Sequence, residues 1–435
     1  MAEKKQSLKS ISLKVLVVNG SNRQKSNSAI LTEKAIEELT KYENTEIRSL
    51  EFYNKNYGRF DNRKDIDEWI ENWEWADTII FLLPNYTVGG PGTFYEALER
   101  LSEVSELKIR EGIYEKTAGV LMQGSAQYGM AELALESTFQ MLAGLHVIPV
   151  YRLPAHIPDG TKPGEELLGH VEQMVEETVL GGKLYKLSIS KEPEESARIL
   201  VVNVGMEDGE IAEALEKRIV KALGNKKGIN PEVFRFEKEK FRDCHHCNVL
   251  CRKTLRCAFK DGFQEFFDKW IRSDGIIWIT SANQCGVPAE VHLAHDRLSE
   301  TGFSTVSDRA NRLHVPYRFC RYTKPEGVVA YGRNGYGGQT QAQQFFVNVA
   351  EQRGNYFISG RTPSSLGPAA LLRQESQLGC DRQFTQNVDN LTEDIAKIAR
   401  GIQTAKKELY DDLPELFYNS RTQMGVPDKG GYFND

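Results

Sequence analysis

The chain states one folding plan twice. KVLVVN from Lys14 and RILVVN from Arg198 are each followed by a polar loop and a helical pattern, about Ser28 to Thr40 in the first case and IAEALEKRIVKAL in the second. Short apolar runs rich in β-branched residues, without alternation, predict strands buried on both faces of a parallel sheet. The likeness continues downstream, where WADTIIFLLPNYTVGGPGTFYEALERL lines up with RSDGIIWITSANQCGVPAEVHLAHDRL. Each is a strand, a loop and a helix ending in an acidic-Arg pair, Glu99-Arg100 and Asp296-Arg297. AGVLMQGSAQYGM matches EGVVAYGRNGYGG without a gap, setting Gly124, Tyr128 and Gly129 opposite Gly332, Tyr336 and Gly337. Strands alternating with helices predict α/β domains, doubly wound, with about five parallel strands in each half. An ancestral duplication accounts for the pattern.

The boundaries follow. Residues 1–190 form one domain and 195–410 the other, with the charged SISKEPEESAR stretch as linker and 411–435, rich in Gly, Asn and Asp, as an irregular arm. A chain of 435 residues is long enough for two such cores. The formal charge of -6 comes without a Lys/Arg block, so a nucleic-acid partner is not expected. The start MAEKKQSLKSIS lacks an apolar leader core, and no run approaches the roughly 18 apolar residues that span a bilayer. A cytoplasmic protein with no membrane partner is expected. Four of the seven cysteines are clustered, and Cys285, Cys320 and Cys380 read as ordinary buried thiols in a reducing compartment.

After the first strand come Gly20, Ser21, Asn22, Arg23, Gln24, Lys25, Ser26, Asn27 and Ser28, leading into a helix. Glycine permits a tight turn, a helix N-terminus attracts an anion, Ser and Asn donate hydrogen bonds, and Arg23 can neutralise a phosphate. The loop has neither the GxxxxGK[ST] of nucleotide hydrolases nor the GxGxxG of dinucleotide folds, so a single terminal phosphate, as on FMN, fits better. A polar turn that only caps its helix is the alternative. In doubly wound sheets ligands bind beyond the carboxyl ends of the strands, where Pro84-Asn85-Tyr86-Thr87 and Gly124-Ser125-Ala126-Gln127-Tyr128-Gly129 should also lie.

Through GSNRQKSNS, LPNYTVGGPGTFYEALER and QGSAQYGM, which cover most of the first half, the chain resembles the NADPH-dependent FMN reductase family of flavodoxin-like proteins. The resemblance implies two tandem flavodoxin-like domains and an FMN whose phosphate is held by Ser21, Arg23, Ser26, Asn27 and Ser28. Pro84, Asn85, Tyr86, Thr87, Gly124, Ser125 and Tyr128 would then border the ring and ribityl chain.

The second half departs from this. Opposite the phosphate loop it reads VGMEDGE, where Glu207, Asp208 and Glu210 put negative charge in the phosphate's place, and Asn283 replaces Tyr86. It reads as a degenerate flavin domain. Its gain is the run CHHCNVLCRKTLRC, between the strand-like EVFRFEKEKF and the helix DGFQEFFDKW. Cys244, Cys247, Cys251 and Cys257 can ligate metal as four thiolates, suiting an iron-sulfur cluster or tetrahedral zinc; free or disulfide-forming thiols are the third reading. His245 and His246 are expected to face solvent. Compact runs of this kind resemble the iron-sulfur flavoprotein branch of the same superfamily, which implies a [4Fe-4S] cluster near FMN. The spacing here, C-x2-C-x3-C-x5-C, is one residue longer between the second and third thiols than that branch's CxxCxxC, leaving nuclearity and metal open.

The expected function is an FMN-dependent oxidoreductase that takes hydride from NADPH or NADH and passes electrons to a small-molecule acceptor or redox protein, through the cluster where single electrons are needed. No side-chain acid or base is assigned a catalytic role. An electron-transfer flavoprotein fed by another reductase and a zinc-stapled binding protein with vestigial flavin loops are the rival readings. A homodimer is expected, as for relatives of this fold.

Overall fold

Consecutive residues of β1 (Leu13–Asn19) point to opposite faces of a sheet, and both faces are dry. Leu16 and Val18 pack with Phe81, Phe94, Trp69 and Trp73, while Val15 and Val17 pack with Leu31, Ala35, Val171 and Val175. An apolar run with no alternation is what such double burial requires. The computed structural model describes residues 10–57, 63–86, 89–106, 116–125, 130–145, 147–190, 196–205, 209–236, 241–245, 247, 257–282, 286–298, 324–332, 338–352, 355–360, 367–372 and 374–410.

The chain divides into two compact units, 1–187 and 188–435 apart from a few residues between 361 and 365. In the first, β1, α1 (Asn27–Leu39), β2 (Thr45–Glu51), α2 (Arg63–Trp75), β3 (Thr78–Pro84), α3 (Gly92–Glu106), β4 (Lys116–Gly124), α4 (Met130–Gly144), β5 (Val147–His156) and α5 (Glu165–Ser190) follow in order. The sheet is parallel throughout, in the order β2-β1-β3-β4-β5. The order reverses at β1, so the chain winds away from it on both sides and leaves a crevice beyond the carboxyl ends of β1 and β3.

The second unit repeats the plan with β6 (Ala197–Asn203), α6 (Gly209–Gly224), β7 (Ile229–Arg235), α7 (Phe263–Arg272), β8 (Gly275–Ser281), α8 (Ala289–Leu298), β9 (Pro325–Gly332), α9 (Gln339–Gln352), β10 (Tyr356–Phe357), β11 (Ala369–Leu371) and α10 (Arg382–Tyr410). Its strands are also all parallel, ordered β10-β9-β8-β6-β7, with β11 pairing β9 as well. The sixth strand arises because the counterpart of β5 is divided. Tyr356 and Phe357 pair with the start of β9, and Ala369 to Leu371 pair with its end. α7 is amphipathic: Phe263, Phe266, Phe267 and Trp270 are its buried stripe, packed against Phe234, Phe236 and Trp278.

The duplication extends to individual side chains. Asn19 Oδ1 accepts from the Ser21 N-H at 3.1 Å, and Asn203 Oδ1 accepts from the Gly205 N-H at 3.0 Å. Asp77 Oδ2 receives the Lys14 N-H at 2.8 Å, as Asp274 Oδ2 receives that of Arg198 at 2.8 Å. Lys116 opens β4 and Lys324 immediately precedes β9; both are buried and donate to the carbonyls of Ala76 and Trp270, at the ends of α2 and α7. A cation at a helix C-terminus complements its partial negative charge. Burial drives Lys116 down to about 8, against the attraction of Asp77 and Glu74.

Helix α5 continues the first unit into the charged stretch as far as Ser190. One expectation is corrected: Cys380 is exposed, because in the turn just before α10 it is Leu378 that faces inward and Cys380 that is left outside. Cys285, Cys320 and the arm 411–435 lie outside the described residues. Among the described residues no helix is long and apolar enough to cross a membrane.

Candidate functional site

At the end of β1 the backbone turns sharply, with the Gly20 N-H donating to Leu82 O at 3.1 Å. A Cβ at Gly20 would come within 2.4 Å of Leu83 Cδ2, so any larger residue here would have to displace the Leu83 side chain. Ser21 is buried and its Oγ accepts the Arg23 N-H at 3.1 Å, folding the loop on itself. Ser26 is the N-cap of α1, its Oγ accepting from the Ala29 N-H at 3.1 Å. Asn27 Nδ2 donates to Thr161 O at 3.2 Å, tying the loop to the segment after β5.

The second loop is held to the third. The Asn85 N-H donates to Gln123 O at 2.6 Å, while Tyr86 and Gly89 form a bridge. Tyr86 is 39% exposed, a large ring without apolar cover. Asn85 Oδ1 is buried and has no hydrogen-bond partner. In the third loop, Ser125 O meets His156 Nε2 at 2.9 Å and Gly124 O accepts from the Ile157 N-H at 2.9 Å.

These loops enclose one cavity of about 680 Å³. Ser21, Arg23, Ser26, Asn27, Pro84, Asn85, Tyr86, Gly124 and Ser125, all singled out from the sequence, line it. Ser28 sits behind its wall: fully buried, its Oγ accepts from Gln123 Nε2 at 3.2 Å. Thr87 and Tyr128 lie outside the described residues. Sequence reasoning missed a fourth wall, Ile157 to Gly160 with Lys162, and also missed Lys25 and Gln123. The signal was available, since IPDGTKPG follows the strand β5 and so falls at the same carboxyl edge of the sheet.

The cavity suits FMN. Its volume is that of a cofactor site, its wall carries Arg23 and Lys25 near the helix N-terminus, and the unpartnered Asn85 Oδ1 offers an acceptor. A phosphate at the cations and a ring N-H at the acceptor would satisfy both.

In the second unit the equivalent loop is rebuilt. Val204 takes the place of Gly20, still donating to the neighbouring strand at Ile279 O, 2.8 Å away. Helix α6 begins earlier after Asn203 than α1 does after Asn19, so less chain is left to form an anion loop. Glu210 stands exposed in its first turn, while Glu207, Asp208 and Asn283 lie outside the described residues. Glu216 is buried, receiving Asn203 Nδ2 at 2.9 Å and Arg235 at 2.9 and 2.7 Å. Burial alone would raise its carboxyl, but the hydrogen bonds from Arg235 and Asn203 carry it below the ordinary carboxylate value.

Of the cysteine run, Cys244 and Cys257 are half-buried and Cys247 is exposed. Cys251 and His246 lie outside the described residues; His245 is exposed and packs edge-on against Phe259, centroids 4.8 Å apart. Among the described residues no group of three or more His, Cys, Asp or Glu side chains is arranged to hold a metal ion. The donor chemistry nonetheless fits one: four thiols fall within one short run, and Cys257 Sγ receives Arg297 Nη2 at 2.9 Å, which puts positive charge beside that sulfur. Asp261 and the sulfur together outweigh the burial that opposes the charge of Arg297 and raise its pKa above the ordinary arginine value.

Comparison with known proteins places these features. The sequence profile of the NADPH-dependent FMN reductase family matches twice, over residues 13–159 and 197–360. No curated protein matches the chain. Among solved structures, an NADH:FMN oxidoreductase in its apo form is 17% identical, with a TM-score of 0.32 over 39% of this chain and 89% of that one. A WrbA-like flavodoxin from Agrobacterium tumefaciens is 13% identical, with a TM-score of 0.32 over 47% of this chain and 98% of that one. FerB, an NAD(P)H:(acceptor) oxidoreductase from Paracoccus denitrificans, is 16% identical, with a TM-score of 0.30 over 38% and 97%. With both halves matched by one profile, the chain belongs to the NADPH-dependent FMN reductase family of flavin-dependent oxidoreductases, in a tandem two-domain form.

Proposed function

We propose that the domain of residues 1–190 binds one FMN, accepts hydride from NADPH or NADH, and hands electrons to a small-molecule acceptor or redox protein, while the domain of residues 195–410 holds an iron-sulfur cluster on Cys244, Cys247, Cys251 and Cys257. The observation that carries the reading is the convergence of the three predicted loops on one cavity, cationic at Arg23 and Lys25 and carrying the unpartnered Asn85 Oδ1. FMN, when bound, supplies a centre that takes two electrons as hydride and can release them singly, which suits it to stand between a nicotinamide and a one-electron carrier.

The residues divide the work. Arg23, Lys25, Ser26 and Asn27 hold a phosphate through charge and hydrogen bonds at the start of α1. Asn85 would offer its unpartnered acceptor to the flavin ring, and Tyr86 would lie against it. Gln123 braces Ser28 and receives the Asn85 N-H, so two loops keep their spacing. No acid or base of the cavity wall is assigned a catalytic role; the wall's part would be to bind and orient.

Protein purified without oxygen should contain one FMN per chain, about four iron and four sulfide, and should oxidise NADPH or NADH in the presence of an acceptor. A colourless preparation, or two tightly held FMN per chain, would reject the flavin assignment. One zinc and no sulfide in a fully active protein would reject the cluster and leave the run as a structural staple.

A further inference from the structure

Arg297 is wholly buried, yet it is not sealed in by its own helix. Nη1 and Nη2 fork onto Asp261 at 2.6 and 2.9 Å, Nη2 also reaches Cys257 Sγ at 2.9 Å, and Nη1 reaches Arg242 O at 3.3 Å. The guanidinium stacks on Phe263, 4.2 Å from its centroid. Asp261 in turn accepts the Arg242 N-H at 3.1 Å and the Phe263 N-H at 3.2 Å. Arg242 lies just before Cys244, and Cys257 closes the run. A single ion pair therefore holds the entrance and the exit of the cysteine run together.

The first unit shows what this arginine does where there is no such run. Arg100, at the matching place in α3, is also buried and pairs with Glu99 and Glu103 of its own helix. The Nε of both arginines is buried without a partner. A buried arginine thus belongs to the shared scaffold, and in the second unit its charge has been turned from the local helix to the cysteine run.

We propose that Arg297 is the positioning and charge-setting residue of the cysteine run: through Asp261 and Arg242 it gathers the ends of the run, and it fixes a positive charge against the ligand Cys257. This rests on the iron-sulfur reading above. A cluster that gains one electron gains one negative charge, so the cation beside Cys257 favours the reduced form and the Asp261 carboxylate opposes it. The two partners of one ion pair should therefore move the potential in opposite directions, which a purely structural role would not do.

The test is a redox titration of the anaerobic full chain, followed by electron paramagnetic resonance, with iron and sulfide measured in each preparation. Arg297→Gln should lower the midpoint potential of the cluster and Asp261→Asn should raise it. If Arg297→Gln loses iron, Arg297→Lys, which keeps the charge and a donor, should retain it and titrate close to the parent. Equal potentials in all variants, shifts of the same sign, or loss of iron from Arg297→Lys as well as Arg297→Gln would overturn the proposal. Parent protein without iron and sulfide would instead reject the iron-sulfur reading on which it stands.

Discussion

The two units share a frame and differ at its rim. The asparagine that ends the first strand, the aspartate that caps its start, the buried lysine of the inner strand and the buried arginine of the third helix recur with the same partners or the same burial. Beyond the strand ends the likeness stops. The first unit keeps Gly20, an extended polar loop and an open cavity. The second has Val204, an earlier helix and the Glu216–Arg235 pair, and between β7 and α7 it has a cysteine run clamped by Arg297. Sheet and helix packing tolerates few changes, whereas loops at the sheet's carboxyl edge can be exchanged without disturbing it. After a duplication, one copy was free to lose the polar loop and to gain the cysteine run.

The comparison breaks most severely if the cysteine run is not a separate centre. Cys247→Ser should remove most of the iron and sulfide while FMN stays bound and is still reduced by NAD(P)H. Stopped-flow spectra should show flavin reduction at near the parent rate and transfer to a one-electron acceptor slowed. Collapse of FMN binding in this variant would mean that the run is a structural prop of the whole chain.

A second test exchanges a pair of residues between the units. Gly20 faces Leu83 in the first, and the matching positions in the second are Val204 and Thr280, large and small interchanged. Gly20→Val should destabilise the first unit by about 1–3 kcal/mol through overpacking. Adding Leu83→Thr should recover about 1 kcal/mol as a coupling in a double-mutant cycle measured by denaturant unfolding. Strict additivity would show that the two positions are not a matched set.

Arg23→Glu makes the first loop resemble the acidic one of the second unit. FMN should be held at least tenfold more weakly, about 1.4 kcal/mol, as read from fluorescence titration of the apoprotein. Unchanged affinity would remove Arg23 from the phosphate site.

The smallest effect concerns the pair that replaced the loop. Glu216 is held below its ordinary value of 4.5, so its contribution is present above that pH and is lost as pH falls through the lower folded value. Because Arg235 is largely exposed, the contribution is below about 1 kcal/mol. Glu216→Gln should unfold less steeply on acidification than the parent; identical acid profiles would show that the pair contributes nothing.

Much of the frame was legible because parallel strands buried on both faces must be continuously apolar, and KVLVVN, TIIFLLP and RILVVN are. The cavity was legible where glycine, proline and polar residues interrupt such strands. Ser28 stands behind the cavity wall for a reason visible in its helix: it shares a face with Leu31, Thr32 and Ala35, which turn inward. The wall after β5 was passed over because IPDGTKPG has ordinary turn composition and no anion pattern. The partnership of Arg297 with Cys257 could not be read at all, since it joins the end of α8 to the segment before α7 and depends on three-dimensional proximity. Nor does sequence show that β5 is continuous while its counterpart is divided, because both halves are short apolar segments.

That division has a practical consequence. The chain leaves the edge of β9 at Gly360, whose φ of +78° and contact with the α10 backbone at Leu391 exclude any side chain, and it returns at Gly367, with φ of +105° against Val328 O. Each end is pinned independently by backbone hydrogen bonds to β9, at Glu326 O and through Ala330. The two anchors are therefore separable, and either end of the divided strand can open without the other. Amide exchange at Ile358 and at Ala330 would then report on the two ends of β9 independently.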